Sequence, residues 1–285
     1  MEIIRSIQAM KRWSKAQKRE GRRIGFVPTM GYLHEGHLAL VKRARTSNDV
    51  VVASIYVNPL QFGPKEDLAR YPRDFEGDRD KLLEASVDIL FYPSPDEMVP
   101  QGFQTTVDVA DLSLPLCGAH RPGHFRGVAT VVAALFNIVG PDQAFFGEKD
   151  YQQLQVVRRL VKDLHMPLEV VSLPTVRHED GLAMSSRNVY LDEEARRKAA
   201  QIPLILERAR KKAEMEVCRV QPLLQDVRAA LEQVADLQVQ YAEIVDRHAL
   251  SPLESVGPGR LGVLAIAVTL GGVRLIDNIT LGTDT

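Results

Sequence analysis

Long apolar runs are missing from this 285-residue chain. The longest, Val128 to Val139, is broken by Thr130 and Asn137; it is too short to span a bilayer and reads as a buried helix. Cysteine is nearly absent. Cys117 and Cys218 cannot build a disulfide framework, which points to a reducing cytoplasm. Neither sign of charge is in excess: 36 Lys+Arg against 37 Asp+Glu leave a formal net charge of -1. Bulk electrostatics therefore draw the chain to neither nucleic acid nor an acidic membrane. The basic cluster Arg208-Ala209-Arg210-Lys211-Lys212 falls on a predicted helix and reads as a solvated face. Repeats and low-complexity tracts are absent too. The opening MEIIRSIQAMKRW lacks the continuous apolar core of a signal peptide and sets Ile4, Ile7 and Met10 along one side of a helical pattern. What remains, 45% hydrophobic and 26% charged, suits a globular protein with a sizeable core. This length favours two domains.

Strand-like and helix-like segments alternate in the first part of the chain. Strands are predicted at 23–28, 50–57, 88–92, 143–147 and 168–173, with helices at 35–46, 74–85, 124–139 and 150–164. Such alternation predicts an α/β fold, a Rossmann-like doubly wound parallel sheet with ligands beyond the carboxyl ends of the strands. After Pro174-Thr175-Val176 the pattern changes. Two long helices, 192–214 and 221–235, follow, with Asp192 as an N-cap. Strand-like runs at 238–245, 262–270 and 273–279 come next, the last two separated by the hairpin signal Gly271-Gly272. The expectation is a Rossmann-like ligand-binding domain over 1–175 and a smaller α+β domain over 176–285, acting as a lid.

The polar motifs follow predicted strands. Residues 28–37 read PTMGYLHEGH, leaving a strand at Pro28, turning through Gly31 and entering a helix near Glu35. His34 and His37 then share one face at a helix N-terminus, where unpaired N–H groups and partial positive charge suit a triphosphate. The alternative is a capped turn with two solvated histidines. Residues 57–62 read VNPLQF; Asn58 and Gln61 offer donors and acceptors without charge, suited to a carboxylate or hydroxyl, or else mark an Asn-Pro turn. Residues 147–153 read GEKDYQQ. Gly147 lets backbone approach a ligand, Lys149 supplies a point charge for phosphate, and Asp150 accepts from ribose or caps the next helix, with Gln153 one turn on. An ordinary charged helix start is the competing reading. In MSSRN, residues 184–188, two hydroxyls and a guanidinium can grip a polyphosphate from a mobile loop, or form a plain surface turn. Cys117, His120 and His124 have spacing that zinc would accept but lack a fourth ligand nearby, so a binding loop is the better reading, with Arg121 and Arg126 facing an anion.

Taken together, PTMGYLHEGH, VNPLQFG, HRPGHFRGV, GEKDYQQ and MSSRN resemble the pantoate–β-alanine ligase (pantothenate synthetase) family. The motifs run from 28 to 188 in that family's order, and the C-terminal part matches mainly in pattern. The family is similar to other nucleotidylyltransferases and to class I aminoacyl-tRNA synthetases, with HEGH in the place of their HIGH signature and MSSRN in that of their KMSKS loop. The resemblance implies a two-step reaction. ATP and pantoate give pantoyl adenylate and pyrophosphate; β-alanine then attacks the acyl carbon, releasing pantothenate and AMP. It also implies Mg2+ and a homodimer.

On the same resemblance, Met30, Gly31, Tyr32, Leu33, His34, Glu35, Gly36 and His37 line the ATP site, with His37 the principal catalytic histidine beside His34. Gly147, Glu148, Lys149, Asp150, Val176, Met184, Ser185, Ser186 and Arg187 complete it, Lys149 and Arg187 following charge onto pyrophosphate. Gln61 and Gln153 bind pantoate, Gln61 also lies near β-alanine, and Asn58 and Tyr71 are further contacts. Asp78 is a candidate metal-side acid. Carboxylate attack on the α-phosphorus needs charge neutralisation and alignment more than a strong base. Two rivals remain: another nucleotidylyltransferase, making a dinucleotide or nucleotide–alcohol product, which has no need of both Gln61 and Gln153, and, from a different class, a nucleotide-binding regulatory protein without turnover.

Overall fold

The computed structural model describes residues 1–64 and 66–284. Their contacts divide them into two compact units. One comprises Met1–Ser113, Arg121–Glu148 and Gln153–Thr175; the other comprises Leu114–His120, Lys149–Gln152 and the chain from Val176 onward.

The first unit is built on six parallel strands: β1 (Glu2–Ile4), β2 (Ile24–Thr29), β3 (Val50–Ile55), β4 (Ile89–Phe91), β5 (Gln143–Gly147) and β6 (Glu169–Leu173). Their order across the sheet is β1-β4-β3-β2-β5-β6, every pairing parallel. All six residues of β3 are buried, because a central parallel strand is covered on both faces. The covering helices are α1 (Ile7–Arg19), α2 (Glu35–Ser47), α3 (Phe75–Glu84), α4 (His124–Val139) and α5 (Tyr151–Asp163). The period-2 alternation of β2 divides the core. Ile24 and Phe26 join Met10, Val128, Phe136 and Leu154 on one face, while Val27 joins Leu40, Val41, Leu82 and Phe145 on the other. Strand β2 has β3 on one side and β5 on the other, so the winding reverses there. The loops that leave β2 and β5 open at that switch point, where doubly wound sheets bind their ligands.

The predicted strands and helices of this part are found within a few residues. The N-terminus differs. Glu2–Ile4 is an edge strand paired with Ile89–Phe91, and the helix begins only at Ile7. Ile4 and Met10 do share one buried cluster, but from two elements. A three-residue edge strand needs its remote partner, and helical spacing alone does not reveal one.

The second unit holds α6 (Glu193–Ala199), α7 (Gln201–Met215) and α8 (Val220–Glu232), packed on the antiparallel strands β7 (Gln238–Val245), β8 (Gly262–Leu270) and β9 (Val273–Leu281) in the order β9-β8-β7. Gly271 and Gly272 turn the β8–β9 hairpin with φ of +57° and +75°, the left-handed pair a type I′ turn requires. Asp192 caps α6 by accepting from the Ala195 amide at 2.7 Å. The single helix expected over 192–214 is two. Pro203 has no N–H and would clash with the carbonyl four residues back, so a helix can hold it only in its first turn; α7 therefore starts afresh at Gln201. Among the described residues, no helix is long and apolar enough to cross a membrane.

Candidate active site

The loop leaving β2 is held in a conformation that its own sequence does not favour. Gly31 and Tyr32 are consecutively left-handed, with φ of +85° and +52°. Such a conformation is costly for Tyr32 and persists only where surroundings impose it. Asp78, on α3, imposes it: Oδ2 accepts from the Tyr32 amide at 2.7 Å and Oδ1 from the Leu33 amide at 2.6 Å. Lys81, one turn along, donates to the Leu33 carbonyl at 2.8 Å. Thr29 Oγ1 accepts from the Gly31 amide and donates to the Ser54 carbonyl. Asp78 is only 1% exposed. Burial pushes its carboxyl up from the ordinary Asp value, against the pull of the two amides and Lys81. Asp78, a candidate metal-side acid in the sequence, thus has both oxygens on backbone amides and acts on loop shape. A cavity of about 730 Å³ opens beside this loop, with Met30, Gly31, Phe75, Asp78 and Tyr92 in its wall.

The loop delivers the two histidines to the N-terminus of α2. His34 is the N-cap, its Nδ1 accepting from the Gly36 amide at 3.2 Å; His37 Nδ1 accepts from the His34 amide at 3.3 Å. The pair forms a reciprocal capping box from imidazoles. Ring centroids lie 4.0 Å apart. A nitrogen that accepts an amide carries no proton, so in each neutral ring the proton sits on Nε2. The local fold therefore selects one tautomer for both rings.

Beyond β3, Asn58 caps a short helical turn, Pro59–Gln61. It is 2% exposed and used at both ends. Oδ1 accepts from the Leu60 amide at 3.0 Å, and Nδ2 donates to Gln61 Oε1 at 2.8 Å and to the Gly127 carbonyl at 3.1 Å. Asn58 therefore orients Gln61, whose Nε2 lies 3.4 Å from Met30 Sδ. Gly127 makes this possible: a Cβ there would overlap the Leu60 carbonyl and lie 2.7 Å from the Gln61 nitrogen. Tyr71 is buried, its ring edge-on to Phe62 at 6.0 Å.

Arg121 and Arg126, expected to face an anion, each meet a carboxylate of the protein itself. Arg121 forks onto Glu66 at 2.7 and 2.6 Å, and Arg126 pairs with exposed Asp108. Burial pushes the Glu66 carboxyl up, but Arg121, the Gly63 amide and His124 together more than offset it, and the group lies below the ordinary Glu value. Arg121 also donates to the Gln61 carbonyl at 3.3 Å and meets His124 Nε2 at 3.1 Å. Arginine only donates, so Nε2 accepts and His124 donates through Nδ1 to the Gln61 carbonyl at 2.8 Å. HRPGH thus positions Gln61 from behind. Sequence reasoning missed Glu66 and Gly127; the one available signal was a glycine inside an apolar helical pattern.

At the end of β5, a Cβ on Gly147 would meet no atom within 4 Å, so the space above it is open. Glu148 accepts from Ser172 Oγ at 2.9 Å. The neighbouring glutamines differ in use. Gln152 ties down the Pro115–Cys117 backbone through both ends of its amide, whereas Gln153 is half-buried at the start of α5.

In the second unit, Lys149 is half-buried, with Nζ 3.8 Å from Asp150 Oδ2. The segment 176–188 doubles back on itself. Met184 donates to the Val176 carbonyl at 3.0 Å, Ser185 Oγ accepts from the Arg187 amide at 3.3 Å, and Asn188 Nδ2 donates to the Ala183 carbonyl at 3.0 Å. Ser186 is buried and Arg187 half-buried. Cys117 Sγ takes a contact from Arg274 at 3.4 Å, and the His120 ring stacks on Tyr241 at 5.5 Å. With His124 committed to Gln61 and Arg121, all three members of the metal-like spacing are engaged elsewhere. Among the described residues, no group of three or more His, Cys, Asp or Glu side chains is placed to hold a metal ion.

Residues 2–280 match the family model of pantoate-beta-alanine ligase. The chain is 52% identical to pantothenate synthetase of Sulfurihydrogenibium sp. over 98% of its own length and 99% of that protein. It is 50% identical to pantothenate synthetase of Thermotoga neapolitana, covering 99% and 100% of the two chains. Among solved structures, pantothenate synthetase of Thermus thermophilus superposes with a TM-score of 0.91 at 51% identity, covering 98% and 99%. The Francisella tularensis pantoate-beta-alanine ligase, in complex with beta-gamma ATP and beta-alanine, gives 0.81 at 33%, covering 98% and 97%.

Proposed function

The chain belongs to the pantoate–β-alanine ligase family, and from that premise we propose the part each side chain plays in joining pantoate to β-alanine at the expense of ATP. The pantoate carboxylate attacks the α-phosphorus. One O–P bond forms, the bond to the β-phosphate bridging oxygen breaks, and pyrophosphate leaves. The β-alanine amine then attacks the acyl carbon of pantoyl adenylate, loses its proton, and expels AMP with its phosphate oxygen.

The observation that carries these assignments is the imidazole pair locked at the N-terminus of α2. His34 and His37 each hold Nδ1 on an amide, so in the neutral rings the proton that serves donation to phosphate oxygens is the one on Nε2. Donors already fixed where charge develops need no reorganisation at the moment of reaction. The α2 N-terminus adds its dipole and amides, with Met30, Gly31, Tyr32, Leu33, Glu35 and Gly36 lining the nucleotide. Gly147, whose α-carbon faces open space, lets the nucleotide approach the backbone. Glu148, Asp150, Val176, Met184, Ser185 and Ser186 complete that site, and Lys149 and Arg187 neutralise the departing pyrophosphate.

Gln61 takes the pantoate carboxylate. Its Oε1 is held by Asn58, so the amide presents Nε2, a donor, to the acid. Gln153 and Tyr71 bind the rest of pantoate, and β-alanine arrives beside Gln61. Mg2+ would accompany ATP and be held through the nucleotide's phosphates rather than by a dedicated set of side chains, as this small hard cation prefers. That fits a site whose buried carboxylate, Asp78, is engaged with amides; the ion supplies charge neutralisation. The assembly is a homodimer in the cytoplasm. The low cysteine content supports the location, and sedimentation of the purified chain tests the dimer.

The reaction is tested by ATP–pyrophosphate exchange. Exchange that requires pantoate and proceeds without β-alanine is expected. Exchange indifferent to pantoate, or none until β-alanine is present, overturns the two-step order.

A further inference from the structure

Strand β9 carries a charge where its alternation calls for an apolar residue. Val273, Leu275 and Asp277 are successive buried positions, and Asp277 is 4% exposed. Its carboxylate takes a two-point ion pair from Arg177, Nη1 to Oδ2 at 2.7 Å and Nη2 to Oδ1 at 2.9 Å. Oδ1 also accepts from the Asn278 amide at 2.8 Å. Arg177 stands at the root of the 176–188 segment. Its Nη1 donates to the Gly181 carbonyl at 3.1 Å, and its backbone bridges Ala183 in antiparallel fashion. The next residue of β9 points to the opposite face, and there Asn278 Nδ2 donates to the Lys149 carbonyl at 2.9 Å. One dipeptide thus grips two segments of the second unit, the Lys149 backbone and the 176–188 segment.

A carboxylate buried against a half-buried arginine is a poor means of stabilising a core, since an apolar residue of similar volume does as well or better. What a forked arginine–carboxylate pair adds is a defined geometry. We propose that Asp277 and Asn278 are positioning residues for ATP: they set the spacing between Lys149 and the Met184–Arg187 loop without touching the nucleotide. The inference rests on the ATP assignment made above.

The test uses Asn278→Ala and Arg177→Lys in the full chain. Asn278→Ala removes the side-chain amide that donates to the Lys149 carbonyl, and Arg177→Lys keeps the charge but loses the fork. The KM for ATP rises about 5–10-fold in the first and about 10-fold or more in the second. The KM values for pantoate and β-alanine stay within about twofold. Without nucleotide, amide exchange quickens around 149–152 in Asn278→Ala and around 177–184 in Arg177→Lys. Equal rises in all three KM values, or a lowered melting temperature with ATP KM unchanged, reduce the dipeptide to a structural role and overturn the proposal. Should Arg177→Lys fail to fold, Asn278→Ala decides by the same measures. If the unaltered protein shows no pantoate-dependent pyrophosphate exchange, the ATP assignment falls. The positioning claim is then judged by amide exchange alone, and unchanged exchange in both segments refutes it.

Discussion

Replacing Asp78 by Asn removes one acceptor while keeping the shape of the side chain. The Tyr32 and Leu33 amides each meet a carboxylate oxygen, at 2.7 and 2.6 Å. In Asp78→Asn one amide keeps an oxygen and the other faces an NH2 group. A hydrogen bond to a charged group is worth about 1.5–3 kcal/mol, and an amide left buried without a partner costs about 1–3 kcal/mol. The neutral side chain recovers part of that, because burying the carboxylate was itself unfavourable, as its raised pKa records. The net is about 2–4 kcal/mol against the left-handed conformation at Tyr32, or roughly 30- to 700-fold in its occupancy at the rate of tenfold per 1.4 kcal/mol. With the loop released, the histidine pair is no longer presented. Pantoate-dependent ATP–pyrophosphate exchange should fall by more than about tenfold, with secondary structure intact by circular dichroism. The pH dependence carries a second mark. A raised pKa makes this group's contribution to folding full below the ordinary Asp value and lost as pH rises through the raised one. Asp78→Asn does not titrate, so its stability profile should lack that dependence. Exchange within twofold of the unaltered protein, with unchanged amide protection at Tyr32 and Leu33, would refute the role.

The remaining expectations follow from the same geometry. His37→Ala should slow single-turnover adenylate formation by about 10²–10³ with the fold intact by circular dichroism, since one aligned donor at developing charge is removed; a rate near that of the unaltered protein ends its catalytic role. Gln61→Ala should weaken pantoate binding by roughly 10- to 150-fold, the equivalent of about 1.5–3 kcal/mol, with ATP affinity held; calorimetric titration of each ligand decides, and the reverse pattern removes Gln61 from the acid pocket. Gly127→Ala drives a methyl into the Leu60–Gln61 backbone. It should cost about 1–3 kcal/mol in denaturant unfolding and raise the pantoate KM, whereas unaltered values would show that the helix and turn can part freely. Glu66, held below the ordinary Glu range against Arg121, contributes stability above the unfolded-state value that is lost as pH falls through the lowered one. Glu66→Gln should therefore flatten the acid limb of the stability profile, and identical profiles would disprove the coupling.

Residues 28–188 carried most of the function in the open. Strand ends, turn glycines and the order of five polar motifs are short-range features, and a period of two or 3.6 can be read within about ten residues. Gly271-Gly272 announced its hairpin because only a left-handed pair matches the twist of the strands on either side. The same local legibility explains why spacing alone put His34 and His37 on one face. What a side chain does with its second partner was not written locally. Asp78 acts on a loop 46 residues before it, and Arg121 reaches a carbonyl 60 residues back. Those pairings exist only because the sheet brings α3 and α4 against the loops that leave β2 and β3. The edge strand Glu2–Ile4 had to find Ile89–Phe91, and Asp277 had to find Arg177 a hundred positions earlier. Which charges are neutralised inside the protein and which meet a substrate depends on those distant contacts. The identity of the chemistry was therefore legible in local pattern, while the division of labour between groups that touch substrate and groups that hold them was decided by tertiary packing.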